Sequence, residues 1–130
     1  MDDLFATHDA LAVGELVKAR KIGARELVDG SIARLRELNT SLNAITDFYD
    51  GTLLDKSLAA AGAGPFHGVP FVVKQLMADC AGTPTTLGSR FFAEQPVAAA
   101  DSAAVARMRR AGLVIVGRSN TSEFGLAPTT

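Results

Sequence analysis

Apolar positions recur at helical spacing along the first forty residues. Val13, Leu16 and Val17 fall on one face of a segment that Asp9 is placed to cap, and this helix is expected to run to about Lys21 before Gly23 stops it. Leu27, Val28, Ile32, Leu35 and Leu38 form a second stripe, predicting a helix over 24–38 with Arg25, Asp29, Arg36 and Glu37 on its polar side. Arg25 and Asp29 stand four residues apart, within reach of each other. Gly30 inside this helix costs about 1 kcal/mol relative to alanine. Residues 43–49 then read as a strand and 52–61 as a third helix with Leu53, Leu54 and Leu58 inward, followed by an Ala/Gly connector over 59–64.

From Gly64 the pattern tightens into GPFHGVPFVVK. Pro65 and Pro70 fix φ and remove backbone donors, Gly64 and Gly68 allow turns other residues resist, and Phe71, Val72 and Val73 read as a short buried strand ending on Lys74. Two outcomes are open for that lysine. Burial would disfavour its ammonium form and make it a base near neutral pH; alternatively the side chain snorkels from the strand end to water. The stretch 76–100 is irregular, with Gly82, Pro84, Gly88 and Pro96 among the hydroxyls of Thr83, Thr85, Thr86 and Ser89. Such a loop could wall a site, or its hydroxyls could serve local turns. Asp101 is then placed to cap a helix with Ala104, Val105, Met108 and Ala111 on one face, Gly112 to end it in the left-handed conformation, and Leu113 to Val116 to form a strand. With the lysine strand this predicts an α/β fold, a mixed sheet covered by helices.

A composition of 48% hydrophobic and 21% charged residues suits one globular core, and a formal net charge of -1 with 6% aromatics gives no footprint for nucleic acid. Arg107, Arg109 and Arg110 crowd the last turn of a helix, where a solvated, dipole-favoured end is expected. No apolar stretch reaches membrane-spanning length, and Asp2 and Asp3 oppose the positive start of a secretory signal, so a cytoplasmic location is expected. Cys80, the single cysteine, excludes an internal disulfide; as a thiol nucleophile it would need His8 or His67, and His67 is expected to serve the turn before the lysine strand. One cysteine and two distant histidines make no zinc cluster, Gly62-Ala63-Gly64 lacks a third glycine, and no G-x-x-x-x-G-K-[ST] string occurs, so neither metal nor nucleotide cofactor is expected.

The GPFHGVP turn, the strand ending in Lys74, CAGTPTTLGSRFF, DSAAVARMRRAG and GRSNTSEFG follow one another in an order and spacing that resembles the amidase signature family. The similarity is strong from Gly64 onward and looser before it. It implies a hydrolase of carboxamides that uses a Ser-cisSer-Lys triad, with Lys74 matching the catalytic lysine and a small-molecule amide as partner, and it leaves room for a homodimer. Asn120 and Glu123 correspond to hydrogen-bonding anchors of a loop, and Phe124, Gly125 and Leu126 to a segment lining the acyl pocket. Gln75 departs from the aspartate that many members carry after the lysine, and the last block reads GRSNTSE, Gly117 to Glu123, where members show GKTN-x-x-E.

The two serines of the triad normally sit in GGSSGG and G-x-D-x-GGS-x-R blocks, and neither string occurs in residues 1–130. Members are several times longer than this chain. The sequence is therefore expected to be the amino-terminal portion of a single amidase domain, incomplete at its C-terminus, with 1–62 as a helical outer part and 63–130 as the start of the catalytic core. On its own it is expected to be inactive. Its variant blocks look more like those of linear and cyclic amide oligomer hydrolases than of the glutamyl-tRNA amidotransferase subunit that releases ammonia from glutamine. The alternative from another class is a non-catalytic polypeptide, either a remnant or a scaffold that pairs with a chain supplying further strands.

Overall fold

The computed structural model describes residues 2–130. Three helices open the chain, α1 (Asp2–Thr7), α2 (Ala10–Lys18) and α3 (Ala24–Leu42), followed by β1 (Ile45–Phe48), α4 (Gly51–Ala60), β2 (Pro70–Lys74), α5 (Ala103–Arg110) and β3 (Val114–Ser119). Single 3₁₀ turns lie at Arg90–Phe92 and Glu123–Gly125. The strands form one mixed sheet in the order β1-β3-β2, with β3 antiparallel to β1 and parallel to β2. This is the mixed sheet with helices that the hydrophobic pattern predicts.

Caps explain most of the boundaries that differ from expectation. Asp9 does cap α2, its carboxylate accepting from Ala12 N at 2.8 Å. The helix stops at Lys18 rather than Lys21, because Arg20 turns to φ 55, and Gly23 begins α3 instead of ending α2. The third helix runs to Leu42, four residues past Leu38, and Asn43 closes it at φ 48 in the left-handed region that asparagine tolerates. That leaves Asn43 out of the strand, which starts at Ile45. Ser102, not Asp101, caps α5, accepting from Val105 N at 3.4 Å. Val105 is buried as expected, but Ala104 is exposed and Arg109 takes an inward place the pattern did not give it.

Arg109 accordingly corrects the expectation of a solvated arginine trio. It is buried, donating from Nε to Asp101 Oδ2 at 2.8 Å and from Nη1 to Ser57 Oγ at 3.0 Å, while Arg107 and Arg110 stay exposed. Asp101 is diverted from capping to hold this cation and the amide of Ala81, 2.8 Å away. Arg25 meets Asp29 at 2.9 Å as its spacing predicts, and also reaches Asp55 on α4 at 2.8 Å.

One core cluster packs Val28, Ile32, Tyr49, Leu54, Val73, Cys80 and Val105 around Val114, Ile115 and Val116 of the central strand. A second gathers Val13, Val17, Leu27 and Val69 beneath α1 and α2. The Gly/Pro lead-in to β2 docks on the α5–β3 turn: Gly62 N donates to Arg109 O, Phe66 N to Ala111 O and Gly68 N to Gly112 O, at 2.8, 2.9 and 2.9 Å. Gly112 carries φ +103, as its expected role in ending α5 requires. No described helix is long and apolar enough to cross a membrane.

Candidate functional site

Lys74 ends β2, paired in register with Ser119 of β3. Two features of the strand correct the sequence reading. Only Val73 is fully buried; Phe71 is 38% exposed, and Lys74 is exposed rather than sunk into the strand. β2 is an edge strand with a pairing neighbour on one side only. Among the described residues the Lys74 ammonium has no hydrogen-bond or ion-pair partner.

The backbone beneath that amine is firmly held. Gln75 N donates to Ser119 O at 2.9 Å, while the Gln75 side chain, only 1% exposed, donates to Asp47 Oδ2 at 2.8 Å and accepts from Thr86 N at 3.0 Å. From β3, Arg118 reaches under the strand end to the carbonyls of Val73 and Lys74. β3 arrives there with one more residue than β2, because Phe71 pairs with Ile115 and Val72 with Gly117, leaving Val116 unmatched. The strand that was expected to stop at Val116 thus continues through Gly117 and Arg118 to Ser119, the residue opposite the lysine.

Residues 76–100 stay irregular apart from the 3₁₀ turn, as expected, and their hydroxyls serve both turns and longer links. Thr83 Oγ1 donates to Cys80 O at 2.9 Å and Thr85 Oγ1 to Asp79 Oδ1 at 2.8 Å. Ser89 Oγ donates to Glu123 Oε1 at 2.5 Å, and Phe124 N to Leu87 O at 2.8 Å, so the segment after β3 is sewn to this loop. Asn120 accepts from Thr121 N and donates to Asn43 O, which with Glu123 gives the two anchors the sequence suggests. The Phe124 ring meets Phe92 edge-to-face with centroids 5.8 Å apart, and a Cβ placed on Gly125 would lie 2.7 Å from Leu76 Cδ2. Phe124, Gly125 and Leu126 are therefore exposed, with Gly125 close to Leu76, two residues from Lys74.

Under the loop lies a buried polar group made of Tyr49, Cys80, Thr83 and Arg118. Burial pushes the Tyr49 phenol up to about 12, only partly offset by the Thr83 hydroxyl and the Arg118 charge. The Tyr49 hydroxyl has no partner at hydrogen-bonding geometry, so Thr83 acts on it from nearby without a well-aligned bond. Burial likewise raises the Cys80 thiol, against the pull of Arg118. A neutral, fully buried thiol is no nucleophile. His67, its one turn-borne candidate partner, is engaged through Nδ1 with Gly62 O at 2.9 Å, the turn role expected of it.

Sequence reasoning missed Arg118 and Tyr49 as parts of this arrangement. For Arg118 a signal existed, since a single cation follows directly on the apolar run LVIVG. Nothing comparable marks Tyr49.

The chain belongs to the amidase family, whose model, described as Amidase, matches residues 26–130. It is 36% identical over 125 residues to a 6-aminohexanoate-cyclic-dimer hydrolase of Paenarthrobacter ureafaciens, covering 95% of this chain and 25% of that protein. A glutamyl-tRNA(Gln) amidotransferase subunit of Nitratidesulfovibrio vulgaris is 34% identical over 132 residues, with 98% of this chain and 25% of that protein covered. A solved structure of 6-aminohexanoate cyclic dimer hydrolase complexed with substrate superposes at a TM-score of 0.81 with 33% identity, over 90% of this chain and 24% of that one. The chain thus spans about a quarter of the length of the curated relatives it matches.

Proposed function

We propose that these residues form the lysine-bearing part of an amide hydrolase, with Lys74 as the base end of a Ser-cisSer-Lys relay. In that relay the nucleophilic serine passes its proton through a bridging serine to the lysine amine as it attacks a carboxamide carbonyl, and the proton returns to the departing nitrogen. The observation that supports this reading best is one unpaired, exposed primary amine standing on a strand end whose backbone is pinned from β3. Both serines have to come from outside residues 1–130, which carry neither of the glycine-flanked blocks, so the 130-residue chain alone is proposed to be inactive. The exposed surface around Lys74 is where the remaining hydrolase and the substrate would pack.

Phe124, Gly125 and Leu126 are proposed to contribute to the acyl pocket, supported by the close approach of Gly125 to Leu76. The substrate class is a small carboxamide, with linear or cyclic amide oligomers favoured because a relative carries that activity in its name. A cytoplasmic enzyme without metal or cofactor completes the reading. The test is turnover of a carboxamide panel by the hydrolase containing this segment, with and without Lys74→Ala. Loss on the order of a thousandfold or more is expected, because relay members act as a unit. Near-normal turnover would remove Lys74 from the mechanism.

A second reading, a non-catalytic scaffold that pairs with another chain, is favoured by the open edge of β2. Intact mass of the native product separates the two. A native species near 13.6 kDa that resists labelling by a fluorophosphonate supports the scaffold, and a longer, labelled one supports the hydrolase.

A further inference from the structure

Arg118 has no exposed surface, and none of its hydrogen-bond partners is a carboxylate. An ion buried without a counter-ion costs several kcal/mol unless its donors are taken up. Here the guanidinium fork spreads over neutral oxygens. Nε donates to Val73 O at 3.3 Å and Nη1 to Thr83 Oγ1 at 3.0 Å. Nη2 donates to Ala78 O at 2.9 Å, Lys74 O at 3.2 Å and Thr85 Oγ1 at 3.4 Å. Val114, Ile115 and Val116 fill the same central strand with plain apolar side chains, so packing alone gives no reason for a cation at the next-but-one position.

The identity of the acceptors gives the reason. Val73 O belongs to the peptide unit entering Lys74, and Lys74 O to the one leaving it. The leaving unit is held at its other end too, by Gln75 N on Ser119 O at 2.9 Å. With both flanking peptides fixed, the direction of the Lys74 Cα–Cβ bond is fixed, and the same guanidinium ties the loop at Ala78, Thr83 and Thr85 across the strand end. Resting on the reading of Lys74 as the base, we propose that Arg118 is its positioning residue, aiming the amine through the two peptide groups on either side of it.

The experiment compares Arg118→Met, Arg118→Lys and Lys74→Ala in the hydrolase containing this segment, with melting curves and steady-state kinetics. Arg118→Met is expected to lower kcat about 100-fold, the scale of a 1 Å misplacement, with KM nearly unchanged. Arg118→Lys keeps a cation that reaches part of the carbonyl set and is expected to recover most of that loss, which a generally loosened fold would not. A folded Arg118→Met with kcat within twofold of wild type, beside an inactive Lys74→Ala, overturns the proposal and leaves the lysine reading standing. An active Lys74→Ala brings down the lysine reading, and the positioning role with it. Should Arg118→Met fail to fold, Thr83→Val with Thr85→Val removes the two side-chain acceptors of the loop instead, leaving Ala78 O. Faster amide exchange over residues 75–86 and a several-fold lower kcat are then expected, and unchanged values of both overturn the proposal.

Discussion

At the scale of single residues, burial decides which side chains carry chemistry and which carry structure. Tyr49 is the plainest case, because it is the only tyrosine and the chain has no tryptophan, so its ionisation can be read directly by ultraviolet absorbance. An unfolded chain releases the phenol proton near 10.0, whereas the folded chain holds it to about 12. The folded state therefore binds more protons between those values. The stability this contributes is intact below pH 10 and is lost as pH rises toward 12, at about 1.4 kcal/mol per pH unit. A tyrosinate titration of the folded chain should have its midpoint well above that in denaturant, and the melting temperature should fall across the same window. A folded midpoint near 10 would mean that the pocket under the loop admits water. Cys80 works in the same direction, its raised thiol extending the alkaline loss of stability to lower pH.

At the scale of elements, the decisive contact is between two turns. The Gly/Pro lead-in to β2 and the Ala111-Gly112 corner after α5 meet backbone to backbone, and Val114 N on Val69 O at 2.8 Å starts the parallel pairing of β3 with β2. A Cβ on Gly112 would lie 2.5 Å from His67 N and 2.7 Å from its Cα, at a φ that alanine does not adopt. Gly112→Ala is expected to cost about 2–4 kcal/mol by denaturant unfolding, combining strain with overpacking. Gly51 gives the control, since it too has positive φ but nothing within 4 Å of a built Cβ. Gly51→Ala should cost only about 1 kcal/mol. Equal losses in the two variants would mean that conformation, and not the docking of the turns, governs this corner.

At the scale of the whole molecule, the sheet is lopsided. Its centre, β3, is buried along nearly its whole length, while β2 leaves one edge open and Phe71 exposed. Beside that edge a groove of about 340 Å³ runs between α3 and β2, walled by Phe5, Leu35, Leu38, Pro70, Phe71 and Val72. Apolar surface of this kind binds environment-sensitive dyes. The 130-residue chain should enhance anilinonaphthalenesulfonate fluorescence, and Phe71→Lys should reduce the signal while leaving cooperative unfolding unchanged. Undiminished dye binding in that variant would place the accessible apolar surface elsewhere.

Periodicity and punctuation determined most of the elements from sequence alone, α1 excepted. The stripe of α3, the inward leucines of α4, the Asp9 cap, the Gly/Pro turn and Gly112 are local features, legible because spacing, fixed φ and freedom at positive φ act within a few residues. The order of the blocks likewise identified the family and singled out Lys74. Tertiary structure alone decided what depends on distant neighbours. It set β2 at an edge and left Lys74 exposed, and it turned Asp101 from a cap into the partner of a buried Arg109. It also drew Arg118 beneath the lysine, because strand order, a one-residue mismatch and the reach of a guanidinium across chain segments more than thirty residues apart leave no periodic trace in a sequence.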